Sequence, residues 1–168
     1  VIHRGKIEKR GFPTENLPRL QSLEYMRAFT TGRVGWSQLN SLLIISGAFG
    51  LFQRQSIVNI GGYITSSGIL QKDSVGEDME LVVRLTYRAL ENKEKYYVKY
   101  IFHANCYTEL PSDGKTLLRQ RNRWQRGLVD ILSYYRELLL NPKYKQIGLL
   151  AIPYFYAFEV MGPFIEII

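Results

Sequence analysis

The 168-residue sequence predicts an α/β chain that passes into a long basic amphipathic helix and then into an apolar end. Three observations predict it. Short apolar runs rich in β-branched and aromatic residues, at 42–45 and 96–102, alternate with stretches of helical period. From 114 to 140 apolar residues recur every three or four positions beside a stripe of arginines. From 147 to 168, 16 of 22 residues are apolar, and a helix rising ~1.5 Å per residue would carry them across a ~30 Å hydrocarbon core.

Each element follows from local chemistry. Residues 1–19, with Gly5, Gly11, Pro13 and Pro18 among many charges, read as an irregular connector. Leu20, Leu23, Met26 (or Arg27) and Ala28 predict a short helix over 20–31, punctuated by Gly32 and Gly35. Residues 42–45 read as a buried strand, Ser46-Gly47-Ala48-Phe49-Gly50 as a glycine-rich turn or tight hairpin, and Leu51-Phe52 as a second strand. A short helix over 54–60 ends at Gly61-Gly62. The next helix, 77–92, buries Leu81, Val82, Leu85, Ala89 and Leu90 and opens on Gly76-Glu77-Asp78. After a strand over 96–102, Ser112 or Asp113 caps the helix that Asn141-Pro142 ends. Its apolar stripe is Leu117, Trp124, Leu128, Ile131, Tyr135 and Leu138, with Arg119, Arg123 and Arg126 alongside.

Charge narrows the partners. The net +7 is concentrated in 115–146, which holds eight basic and two acidic groups just before the apolar end. A basic amphipathic helix there suggests a membrane interface. Lys143 and Lys145 would flank a span and keep the preceding residues cytosolic; two Glu and two Pro in the last stretch weaken the span without displacing it, the alternative being a buried core helix. Nucleic acid is set aside, because the basic run carries no readable docking motif. The single cysteine, Cys106, excludes a disulfide framework. The chain reads as an internal piece of a longer membrane-associated protein, with no leader pattern at Val1.

Several signals fail. Gly114-Lys115-Thr116 ends like a phosphate loop, but Glu109 stands where the first glycine is needed. His103 and Cys106 have metal-like spacing, yet two ligands make no site. No serine has a His and acid constellation.

Three features remain: Gly76-Glu77-Asp78 opening a helix, Thr108-Glu109-Leu110-Pro111 after a strand, and Gln120-Arg121-Asn122-Arg123-Trp124 on the basic helix. Each alone has a plain structural explanation, as a cap, a surface charge or a core aromatic. In this order, with ISGAFGLFQRQSIVNIGGY and SVGEDMELVVRL, they resemble the processive membrane glycosyltransferases of family 2, which include cellulose, hyaluronan and poly-N-acetylglucosamine synthases. The resemblance covers nearly the whole chain. Gly76 departs from it, standing where many members have Thr.

The resemblance implies a GT-A fold, of which this chain would be the C-terminal half. Residues 1–112 would form the acceptor-side half, 113–146 an amphipathic interface helix carrying Q-x-x-R-W, and 147–168 a membrane-associated or transmembrane segment. It implies an inverting hexosyl transfer from a nucleotide-sugar donor, UDP-linked, to a growing glycan at the cytosolic face of a bacterial membrane, with membrane lipid as a further partner. Asp78 would be the catalytic base, with Glu77 next in line. A helix N-terminus favours the carboxylate and so weakens the base, while desolvation in a closed site pushes the other way. Gln120 and Arg123 would bind the donor diphosphate. Trp124, Phe49, Gly47 and Glu109 would form the acceptor side. Mg²⁺ or Mn²⁺ would take its ligands from a D-x-D motif upstream, since none occurs here; the fragment alone would then be inactive. The rival from another class is a non-catalytic, basic membrane-surface binding module.

Overall fold

Pro18 lies in the first turn of helix α1 (Asn16–Arg27), where its missing N–H has no helical partner to lose. In the computed structural model, which describes residues 13–47, 49–64, 76–104 and 108–162, α1 runs unbroken through a π-helical turn (Ala28–Arg33) into α2 (Val34–Gln38). Gly32 and Gly35 lie inside this run and punctuate nothing. The stop comes at Asn40, which adopts a positive φ of 51° while the Ser41 N–H donates to Trp36 O and the Asn40 N–H to Ser37 O. That is a Schellman close with Asn in the left-handed position. Gly61 closes α3 (Arg54–Asn59) in the same way, as its glycine pair predicts, and Lys93 closes α4 (Glu77–Glu91).

The apolar stripe read on the first helix faces outward. Leu20, Leu23 and Met26 are 65%, 59% and 48% exposed, while Pro18, Gln21 and Ser22 are buried. The buried polar groups find local and long-range partners. Ser22 Oγ donates to Pro18 O, and Gln21 Nε2 donates to Leu17 O and, 90 residues away, to Pro111 O. Hydrogen bonding thus decides the face against hydropathy.

Among the described residues there is no strand and no sheet, so the α/β class and the GT-A half-fold expected above are overturned. Residues 41–46 and 95–101 are apolar and buried in part, but neither meets a partner strand. The second segment spends its backbone groups on α2 and its cap: the Tyr100 N–H donates to Ser37 Oγ, the Val98 N–H to Asn40 Oδ1, and Asn40 Nδ2 to Tyr96 O. Hydropathy marks a segment as buried; only a neighbour with free N–H and C=O groups makes it a strand.

Asp113, one of the two residues expected to cap the next helix, does so. Its Oδ1 accepts from the Thr116 N–H at 2.9 Å at the start of α5 (Gly114–Tyr134). Two short 3₁₀ turns follow (Arg136–Leu138, Pro142–Tyr144), then a π turn (Ile147–Ala151), one turn of α6 (Ile152–Tyr154) and a further π turn (Phe155–Val160). No helix among the described residues is long and apolar enough to cross a membrane, so the membrane segment expected from 147 onward does not appear among them as a spanning helix. Ile147, Ala151, Ile152 and Phe155 instead enter one core with Leu43, Met79, Val83, Ile131, Leu132 and Leu138. Lys143, read as a membrane flank, pairs with Glu91 at 2.7 Å. Cys106, Pro163 and Glu166 lie outside the described residues.

A buried polar knot locks α4 in place. Glu80, 2% exposed, accepts from Arg84 Nε at 2.8 Å and from the Tyr135 hydroxyl at 2.8 Å. Arg84 also donates to Ile60 O and Gly62 O. Burial and the Glu80 carboxylate push the Tyr135 hydroxyl far up, so it remains a donor.

Candidate active site

Gly76 gives the site its depth. A Cβ there would run into Ile131 Cδ1 and lie 3.4 Å from Gly127 O, both on α5. The start of α4 therefore sits directly against α5, and the glycine that departs from the family pattern is the residue that allows it. Asp78 follows in the first turn and is half-buried, with Glu77 exposed beside it.

The Asp78 carboxylate is held by backbone. Its Oδ2 accepts from the Gly47 N–H at 3.0 Å, across 31 residues, and its Oδ1 accepts from the Met79 N–H at 2.8 Å. Gly47 sits in the turn closed by the Phe49 N–H to Ser46 O. A carboxylate has about four acceptor positions, so each oxygen retains one for an incoming hydroxyl. The turn expected from the glycines is thus present, and one of its N–H groups points at the expected base.

Gln120, Arg123 and Trp124 share α5, one turn apart as the spacing requires. Arg123 is exposed, Trp124 is 37% exposed, and Gln120 Oε1 is buried with no hydrogen-bond partner. Phe49 is 54% exposed at the edge of the turn. Glu109 is exposed on the segment that Gln21 ties to α1. No hydrogen bond, ion pair or ring contact among the described residues joins the Gly47–Asp78 pair to the Gln120–Trp124 set. What joins them is the seat of Gly76 on Gly127 and Ile131.

Residues that sequence reasoning missed come from α1 and its π turn. The Tyr25 ring lies 6.5 Å from Trp124, tilted 30°, and 6.0 Å from Phe29 in an edge contact. The Arg33 guanidinium carbon sits 4.0 Å over the Phe29 ring. Burial pulls the Arg33 cation below its ordinary range, opposed by the negative charge of Asp78. The π turn thus brings a cation within the electrostatic reach of Asp78, and α1 packs against Trp124 through Tyr25. The sequence signal for these contacts was the aromatic pair Tyr25/Phe29 at i, i+4, on the face opposite the apolar stripe.

A divalent cation needs several oxygen or nitrogen ligands at one point. No group of three His, Cys, Asp or Glu gathers among the described residues, so the residues present do not fit one.

The chain is similar to known proteins over most of its length. Over 140 residues the chain is 28% identical to hyaluronan synthase from Streptococcus pyogenes, covering 83% of this chain and 30% of that protein. It is 27% identical over 116 residues to poly-beta-1,6-N-acetyl-D-glucosamine synthase from Staphylococcus aureus (strain COL), covering 69% of this chain and 25% of that protein. The chain thus spans less than a third of the length of these relatives. No solved structure matches it significantly. The family model described as glycosyl transferase family group 2 matches residues 19–164, from α1 through the final π turn, and the chain belongs to that family.

Proposed function

We propose that this chain carries the acceptor-side groups of an inverting transfer, in which a sugar moves from a UDP-linked donor to a growing glycan. The observation that supports it most is the Gly47–Asp78 hydrogen bond, which aims a half-buried carboxylate and leaves acceptor capacity on both oxygens. Asp78 takes the proton of an acceptor hydroxyl as its oxygen bonds to the anomeric carbon. The anomeric bond to the diphosphate breaks, and the diphosphate departs with the electron pair from the opposite face. Arg123, an exposed guanidinium, meets those oxygens in a fork that an ammonium cannot form. Gln120 serves two partners: its Nε2 suits a phosphate oxygen, and its unpartnered Oε1 suits a sugar hydroxyl. Trp124 offers its exposed ring surface to a pyranose. In the same reading Mg²⁺ or Mn²⁺ accompanies the donor with ligands from outside these residues.

We also place the site at the cytosolic face of a bacterial membrane. The support is apolar surface: Leu20, Leu23 and Met26 on α1, Leu118 at 71% exposure on α5, and Phe158 at 65% near the end. Arginines accompany the first two sets, as anionic lipid headgroups favour.

The test is product stereochemistry with the full-length enzyme. An α-linked UDP-sugar should yield a β-linked product by NMR, and Arg123→Lys should weaken UDP binding and turnover by about tenfold. Lipid binding with no sugar transfer would instead establish the binding-module reading.

A further inference from the structure

The QxxRW helix is braced from α1 by a pair of residues 97 positions apart. Arg121 Nη1 donates to Glu24 Oε1 at 2.7 Å and Nη2 to Glu24 Oε2 at 2.5 Å, a two-pronged carboxylate contact. The same guanidinium carbon lies 5.1 Å from the centre of the Trp124 ring. Tyr25, the neighbour of Glu24, lies against that ring as well, 6.5 Å away. Among the described residues the Trp124 indole N–H has no hydrogen-bond partner, so these contacts set its plane. The two side chains of the ion pair are 36% and 43% exposed. Pairs so open to water contribute little to stability, and holding two long side chains in one geometry costs rotamer freedom. The fork geometry is therefore informative about orientation rather than about folding.

We propose that Glu24 is a positioning residue for the acceptor platform. By clamping Arg121 it holds the guanidinium against the Trp124 indole, which Tyr25 also contacts, and fixes the plane on which an acceptor pyranose stacks. The inference rests on the reading of Trp124 as that platform. Glu24 touches no reacting atom; it acts through Arg121 and Trp124.

Glu24→Gln keeps the size of the side chain and removes the charge that makes the fork. In the full-length enzyme the KM for a glycan acceptor should rise by about ten- to a hundredfold, the cost of a misplaced binding group. Product chains should shorten. The KM for UDP-sugar, donor hydrolysis by water and the melting temperature should hold. Glu24→Gln combined with Arg121→Met should be no worse than the worse single variant, because both break one contact. Tyr25→Ala should resemble Glu24→Gln. If Glu24→Gln leaves the acceptor KM unchanged while Trp124→Ala raises it, the clamp is overturned and the platform stands. If Trp124→Ala leaves the acceptor KM unchanged, the platform reading falls and takes the clamp with it. A Glu24→Gln enzyme whose donor and acceptor constants worsen together with its melting temperature overturns the clamp in favour of a merely structural pair.

Discussion

Asp78 and Glu80 stand two residues apart on α4, and each accepts hydrogen bonds from a distant part of the chain. Glu80 is enclosed: a guanidinium and a phenol occupy it, and that guanidinium goes on to bind Ile60 O and Gly62 O. Asp78 is half-open, and its two recorded donors are backbone N–H groups, which neither titrate nor neutralise it. A carboxylate saturated by charged and hydroxyl donors fixes structure. One held by backbone donors, with oxygen lone pairs to spare, is available for chemistry. Both arrangements come from the same helix turn, so the contrast lies in the neighbours and not in α4 itself.

Substitution sharpens this contrast. Asp78→Asn in the full-length enzyme should lower turnover by about 10²–10⁴-fold with UDP-sugar affinity nearly unchanged, and lower the melting temperature slightly because the amide nitrogen cannot accept from one of the two backbone N–H groups. Near-normal turnover in a folded protein would break the distinction and move attention to Glu77. Glu80→Gln should do the reverse. It leaves the Arg84 charge buried without its partner, a loss of about 3–5 kcal/mol read by denaturant titration. Glu80→Leu with Arg84→Met should recover part of that loss; if the double variant is as unstable as the single, the knot is not a charge pair in energetic terms. Gly76→Thr should cost about 1–3 kcal/mol through overpacking on Ile131. Ile131→Val, which removes the clashing methyl, should relieve it, and a neutral Gly76→Thr would show that α4 and α5 can part.

The smallest effect concerns the α5 cap. The Thr116 N–H lowers the Asp113 carboxyl below its ordinary 3.8. A carboxylate lowered in the folded state adds stability above its unfolded value, and that stability is lost as pH falls through the lowered native value. The melting temperature of Asp113→Ala should therefore lie slightly below wild type near neutrality, and the gap should close as pH drops below about 4. A gap that persists at pH 2–3 would show that the capping charge is not what Asp113 contributes.

Much of this was legible in local chemistry. Gly61 stops α3, Asp113 opens α5, and Asp78 and Trp124 fall on the helices that periodicity assigns. What failed needed partners that no local window contains. Residues 96–102 have strand composition, yet Ser37 and Asn40 take up their backbone groups. The stripe Leu20–Leu23–Met26 has helical period, yet Gln21 is drawn inward by Pro111. The final apolar stretch divides its residues, with Ile152 in the core and Phe158 in the open, so composition alone overstated its burial. Glu24 and Arg121 meet across 97 residues with no local trace in either.

The π turn at Ala28–Arg33 bears on how this site tolerates insertion and loss. A π turn holds one residue more per turn than an α-helix needs, and each α-helical residue advances the helix by about 100°. Deleting any one of these six residues would let the segment relax to α-helix. Everything after it would then keep nearly its present direction, because the π turn already absorbs that extra residue. Phe29 and Arg33 would move from a spacing of four to one of three, still neighbours on an α-helix, and the Glu24–Arg121 pair would be untouched. A point substitution such as Thr30→Ala or Thr31→Ala leaves the count intact and should be borne easily. The turn is thus a place where the chain can lose a residue at little expense to the direction of the helix, with only the spacing of Phe29 and Arg33 altered.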